Sequence, residues 1–357
     1  MLGLGGALPH RMCGQQFPPP LREGSGAFRW AGYVQLRYTA IDNEEDLFAL
    51  RRFKLMAGGN LAPRIQWYMQ GLFKDGNATV TDGRAYFQEA WIRYAWRKQI
   101  RFILGQFKPP FGCERFTPDF EIGTIDRSLV TDTLTPDDPY IDSFHRDRGV
   151  QIDGETHKRL RYAAGIFDGR GARHQFHGVG PMIVGQAVIR VVQDRRIAQK
   201  PFGFQTGGAY GARWGSDLPF RSCCRTLEND LSHFRGSDRR WQLEASVDWG
   251  DVSFRAEYIQ ARPHFAGRPF LGYAAAGYYI QGSKYLAPKW QVVLKHEALD
   301  PNDRVSNEKD LRQTTAGINY YIRQNRIKMM AGYVHRTERV ALIGNDLVQV
   351  QLQYFIH

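Results

Sequence analysis

Val348-Gln349-Val350-Gln351-Leu352-Gln353-Tyr354 decides the fold, because apolar and amide side chains take strict turns along it. Successive side chains of a strand point to opposite faces, so this segment carries one oily face and one hydrogen-bonding face. The same writing recurs upstream. Trp241, Leu243, Ala245, Val247 and Trp249 alternate with Gln242, Glu244, Ser246 and Asp248, and Phe28, Trp30, Val34, Leu36 and Tyr38 share a parity against Arg29, Gln35 and Arg37. A chain built almost entirely of such strands predicts an all-β, transmembrane antiparallel β-barrel with lipid outside and water inside.

Composition agrees with that reading. The 357 residues include 13% aromatic side chains and 37 glycines, a mixture that favours strands and tight turns. No run of 18 or more apolar residues is present, which argues against a membrane-crossing helix. The formal charge is +12, yet Lys and Arg are spaced along the strands instead of gathered in a patch, which argues against nucleic acid as a partner. The four cysteines show no C-x-x-C spacing, so zinc and c-type haem are unsupported and loop thiols, free or incidentally paired, are expected.

Alternation and turn residues mark sixteen strand candidates: 27–40, 48–59, 62–74, 83–97, 99–107, 147–156, 158–168, 182–193, 203–214, 239–249, 251–262, 270–281, 288–299, 311–322, 325–337 and 346–356. Residues 1–26 read as an N-terminal leader, a signal remnant or periplasmic extension, ahead of a barrel over 27–357. Short turns alternate with longer connections, the longest over 107–146 and 214–238, as expected of a barrel whose two ends face different compartments. Aromatic residues near strand ends, among them Trp67, Tyr68, Trp91, Tyr94, Trp96, Tyr278, Tyr279, Trp290, Tyr320, Tyr321, Tyr333 and Tyr354, are expected to form interfacial girdles.

Parity assigns a water-facing wall wherever the opposite residues are apolar. Arg29, Arg37, Arg52, Lys54, Arg64, Glu89, Arg93 and Arg255 fall on it, with Glu244 and Glu257. Bases predominate, so small anions are the expected preference of any solute path through the barrel.

Several blocks resemble the phosphate-selective porin O and P family of Gram-negative outer membranes. They are Leu50-Arg51-Arg52-Phe53-Lys54-Leu55, Ile65-Gln66-Trp67-Tyr68, Glu89-Ala90-Trp91-Ile92-Arg93-Tyr94, Leu104-Gly105-Gln106-Phe107-Lys108-Pro109-Pro110-Phe111, Arg148-Gly149-Val150-Gln151-Ile152-Asp153-Gly154 and Tyr162-Ala163-Ala164-Gly165-Ile166-Phe167-Asp168-Gly169, in that order. The resemblance implies a sixteen-stranded barrel in the outer membrane, usually a homotrimer, conducting ions and small hydrophilic solutes by passive diffusion. It also implies a third outer loop folded inward as a constriction. Residues 107–146 fall there, which would place Glu114, Arg115, Asp119, Glu121, Asp126 and Arg127 nearest the narrowest point. The family's lysine cluster is not carried over, since the segment has Lys108, Arg115, Arg127 and Arg146 against eight acids. Outer-membrane lipid and lipopolysaccharide are the implied surroundings.

Two rival classes remain on the residues themselves. A barrel enzyme would need a nucleophile with a base, for which Ser143 and His145 are the nearest offering, without a third partner or a glycine-rich elbow. A scaffold would use the 214–238 connection as its contact. No organic cofactor is indicated; a structural calcium ion would draw on the acidic third loop.

Overall fold

The computed structural model describes residues 28–76, 81–135, 144–171, 178–219, 233–340 and 343–356; the leader reading for 1–26 lies outside them. Its strands are β1 Arg29–Ile41, β2 Leu47–Ala62, β3 Ile65–Gly76, β4 Thr81–Arg97, β5 Ile100–Phe107, β6 Asp147–Thr156, β7 Leu160–Phe167 and β8 Val179–Ile197. They continue as β9 Lys200–Pro219, β10 His233–Trp249, β11 Val252–Phe265, β12 Ala275–Ala287, β13 Trp290–Asp300, β14 Leu311–Arg323, β15 Ile327–Glu338 and β16 Leu347–Ile356. Every strand pairs with its sequence neighbours, and β1 closes against β16 with Leu36 opposite Leu352 and Arg37 opposite Gln351. Closure satisfies every ladder and leaves no edge, the condition for a sheet to stand in lipid.

The orientation of the faces follows from β16. Gln349, Gln351 and Gln353 are 2%, 1% and 0% exposed, whereas Val350, Leu352 and Tyr354 are 40%, 42% and 50% exposed. A water-soluble sheet would hide the apolar row; here the amides are inside and the apolar row is outside, where hydrocarbon solvates it. The inner wall is therefore polar, and the apolar core lies within it, where residues such as Phe111, Phe120, Val130 and Phe144 pack against the wall.

Two-residue turns join strands at one end, as at Ala198-Gln199, where both residues take the left-handed backbone that matches the twist of a tight hairpin. Longer connections crowd the other end, from which residues 108–135 and 144–146 enter the barrel. Strands β9 and β10 run further than the expected 203–214 and 239–249. Their extra residues, such as Gly215-Ser216-Asp217 and Arg235-Gly236-Ser237, lie toward the long-connection end and lack the apolar alternation by which a lipid-facing strand is recognised.

Aromatic placement corrects the girdle expectation in part. Trp96, Tyr94, Trp290, Tyr333 and Tyr354 are exposed on the outer face, but Tyr68, Trp91, Tyr279 and Tyr321 are buried inside. Only one member of an adjacent pair such as Tyr278-Tyr279 or Tyr320-Tyr321 can face lipid, and the pleat sends the other inward.

Candidate functional site

Residues 108–135 and 144–146 lie against the inner wall, and an irregular backbone there needs partners for its polar groups. Wall side chains supply them. Lys328 on β15 donates to the carbonyls of Phe120 and Ile122 at 3.2 and 3.1 Å, and Asn319 on β14 to that of Gly123 at 2.8 Å. Gln353 on β16, Lys295 on β13 and Gln186 on β8 donate to Phe120, Asp126 and Gly112 carbonyls. Acceptors are met as well: Glu257 on β11 receives the N–H groups of Cys113 and Glu114 at 2.8 and 3.0 Å, and Glu297 on β13 receives that of Leu129.

A short helix, α1 Leu129–Leu134, is capped by Ser128, whose hydroxyl accepts the Thr131 N–H. Its carbonyl end meets Arg240 on β10. Val130 of α1 seats over Gly277, where a Cβ would come within 3.0 Å of its methyl, and Phe144 lies over Gly211 in the same manner, at 2.4 Å. Side chains at these two inward positions would displace the segment.

The six residues expected at the constriction are mostly ties. Asp119 accepts from Tyr33 on β1 at 2.9 Å, from Arg127 at 2.8 Å and from Lys54 on β2, with Arg52 3.9 Å away. Asp126 takes a two-pronged bond from Arg37, with Gln349 at 2.9 Å and Arg51 at 4.0 Å. Burial alone would raise the Asp126 carboxyl, but Arg37 and Arg51 outweigh it and hold it below the usual carboxylate range. Glu114 accepts the Ser128 N–H, Arg127 bonds the carbonyls of Glu114 and Thr117, and Arg115 is buried near His145 at 3.4 Å. Glu121 is half-buried, its N–H bonded to the Pro118 carbonyl. Burial, with Arg146 and Arg127 nearby, pushes the Lys108 ammonium well below its ordinary value.

Of the wall residues, Arg37, Arg52 and Lys54 converge on this segment. Glu89 meets it through Arg146 at 2.9 Å. Arg29, Arg93 and Arg255 keep their inward parity toward the short-turn end, Arg255 pairing with Asp248 at 2.7 Å. Glu244 also faces inward. Arg64 does not belong on the wall: the strand ends at Ala62, and Pro63-Arg64 form the exposed turn into β3.

Parity missed several inner residues. β1 and β2 shift register so that Gln35 pairs with Arg52 and Leu36 with Leu50, which leaves Arg51 as an extra residue and turns both arginines inward. An equivalent shift between β3 and β4 turns Gln88 inward beside Glu89. The available signal was adjacency itself, since two neighbouring charges cannot alternate when one face is lipid. Arg101 on β5, Arg161 on β7 and Arg190 on β8 extend Arg93 into a basic row, accompanied by Asp153 and Glu155, with Arg190 to Glu155 at 2.7 Å.

Of the acids a calcium site would draw on, Asp119 and Asp126 are held by bases and Glu114 by the Ser128 N–H, and among the described residues no group of three acidic, His or Cys side chains is placed to hold a metal ion. Asp137, Asp138, Asp142 and Ser143 lie outside the described residues. His145, offered as a base, is buried between Arg115 and Arg146. Cys113 is disulfide-bonded.

The model of the phosphate-selective porin O and P family matches residues 28–181 and 228–356. Porin O of Pseudomonas aeruginosa is 21% identical over 381 residues, covering 90% of this chain and 85% of that protein. Among solved structures, an anion-selective porin from Comamonas acidovorans superposes with a TM-score of 0.65 at 13% identity, over 92% of this chain and 99% of that one. In-vitro folded OmpT of Vibrio cholerae, in its trimer form, gives 0.61 at 12% identity over 93% and 100%.

Proposed function

Because the chain belongs to the phosphate-selective porin O and P family, and so is an outer-membrane porin of a Gram-negative bacterium, we propose that it conducts small hydrophilic anions with weak preference over cations. The observation that carries the preference is the balance of the interior. Asp119 and Asp126 are each matched by wall bases, while the inner-wall row Arg93, Arg101, Arg161 and Arg190 sets four bases against Asp153, Glu155 and, near Arg161, Glu244. A basic wall raises the local concentration of anions and lowers that of cations without making or breaking a bond.

In this reading the segment from 108 to 146 narrows the path, with Glu114, Arg115, Asp119, Glu121, Asp126 and Arg127 holding its shape, and Arg29, Arg37, Arg52, Lys54, Glu89, Arg93 and Arg255 line the pore. Selection is by radius and mild potential, not by a phosphate cage, because Lys108, the segment's one lysine, is half-buried with its ammonium bonded to the Arg115 carbonyl at 2.7 Å. Residues 27–357 act as one barrel domain. Three copies assemble side by side, a reading supported by the trimer form of the Vibrio cholerae protein. The family supports a channel over an enzyme. Zero-current potential in a KCl gradient across a planar bilayer tests the proposal: a mild anion-selective potential is expected, and strong cation selectivity would overturn it.

A further inference from the structure

At the long-connection end, the outer face of β10 and β11 carries an arrangement the pore does not use. Arg239 and Arg262 are directly opposite each other across the ladder, both exposed on the lipid side. Like charges in that position repel, and a sheet gains nothing by placing them there unless an anion lies between. One step toward the membrane centre, about 7 Å along β10, stands Trp241, opposite Tyr210 and packed at 5.0 Å between ring centroids on Tyr258, which lies one step further in on β11. Those rings mark the headgroup level, since amphipathic aromatics settle there. The arginines therefore stand just outside it.

A cavity of about 600 Å³ opens at this point, lined by Arg239, Arg262, His264 and Arg304 above Trp241 and Tyr210. Arg304 donates to the Phe270 carbonyl, which fixes it at the rim. The carboxylate in the same lining, Asp303, is turned to the Ala274 N–H at 2.9 Å. Three guanidinium groups and an imidazole over an aromatic floor suit a ligand with phosphate above and acyl chains below.

We infer that this cavity is a binding site for the phosphorylated headgroup of an outer-leaflet glycolipid, with Arg239 and Arg262 clamping one phosphate. The inference rests on the outer-membrane placement of the barrel and is independent of what the pore conducts.

The test uses the full chain in detergent, with retained lipid measured by native mass spectrometry. The probes are a doubly phosphorylated diglucosamine glycolipid, its dephosphorylated form, and inorganic phosphate alone. The expected result is that Arg239→Gln with Arg262→Gln weakens the phosphorylated glycolipid roughly 30-fold, from about one charge's worth of attraction per arginine. The dephosphorylated lipid should bind equally weakly to both forms, and the doubly lysine-substituted protein should recover part of the affinity. Heat-modifiable gel mobility and single-channel conductance, unchanged in the variant, establish that the barrel is intact. Equal retention of the phosphorylated lipid by both proteins would overturn the proposal. So would inorganic phosphate occupying the site as tightly as the lipid, which would make it a free-anion site.

Discussion

Arg37 on β1 grips Asp126 on the inward segment with one guanidinium nitrogen, Nη1 lying 2.9 Å from Oδ1 and 3.1 Å from Oδ2, while its Nη2 donates to the Ile125 carbonyl. One side chain thereby fixes both the charge and the backbone of the segment to the wall. Arg37→Gln should remove the two-pronged bond and leave Asp126 to Gln349 and Arg51. Asp126 is one-third exposed, so the loss is about 1–2 kcal/mol, less than for a fully buried pair. A lowered temperature for loss of the folded gel band, together with larger and noisier single-channel openings, is the expected outcome. Unaltered noise would mean that the segment is held by its carbonyl bonds alone.

The same pair sets an acid limit. The folded-state carboxyl of Asp126 is held below its ordinary value of 3.8, so its contribution is complete above that value and fades as pH falls through the depressed one. Conductance noise should be flat between pH 8 and pH 5 and rise only in strong acid. Asp126→Asn should show the acid behaviour at every pH. A transition near neutrality in the native protein would point to a different tie.

How much of this was legible in the sequence depends on which solvent did the sorting. Gln349, Gln351 and Gln353 read as inward because lipid tolerates no amide on the other face, and strand number and closure followed from repeating that test. Arg51 escaped it because a bulge is a property of two strands in register, and β2 alone does not show that Leu36 pairs with Leu50. Tyr68 and Trp91, stacked at 5.3 Å inside the barrel, escaped it because an aromatic ring suits either an interface or the packing under an inward segment. The acids of 107–146 were visible as a charge excess, but Asp119 and Asp126 find partners on β1 and β2, distant in sequence, so the count of four bases against eight acids described the segment and not the field it produces.

Removing Arg51 altogether tests the bulge. The deletion leaves Leu50 outward, Arg52 inward and Phe53 outward in regular alternation, so β2 can pair with β1 without slipping. The shortened protein should fold, with native gel mobility, while losing what Arg51 contributes to Asp126 at 4.0 Å. Deleting Leu50 instead brings Ala49 next to Arg51 and turns the upstream strand residues to the wrong face, and should prevent assembly. If both deletions behave alike, the extra residue is not what turns the double arginine inward.

The basic row offers the sharpest reading of selectivity. Arg93, Arg101, Arg161 and Arg190 lie on β4, β5, β7 and β8, away from the side where Arg37, Arg52 and Lys54 bind the inward segment, so neutralising them should leave that segment in place. A charge acting on a passing ion across about 8 Å of water contributes on the order of 0.5 kcal/mol, which salt screening about halves; acting with opposite sign on anion and cation, it is worth about twofold in their ratio for each residue changed. Arg93→Gln and Arg161→Gln should each lower the ratio by about that factor and together about fourfold, with conductance at high salt unchanged because screening removes the effect. Arg101→Gln should lower the ratio by at least as much, since Asp153, its partner, would be released to oppose anions. A zero-current potential indifferent to Arg93 and Arg161 would move the selective field to the segment at 108–146.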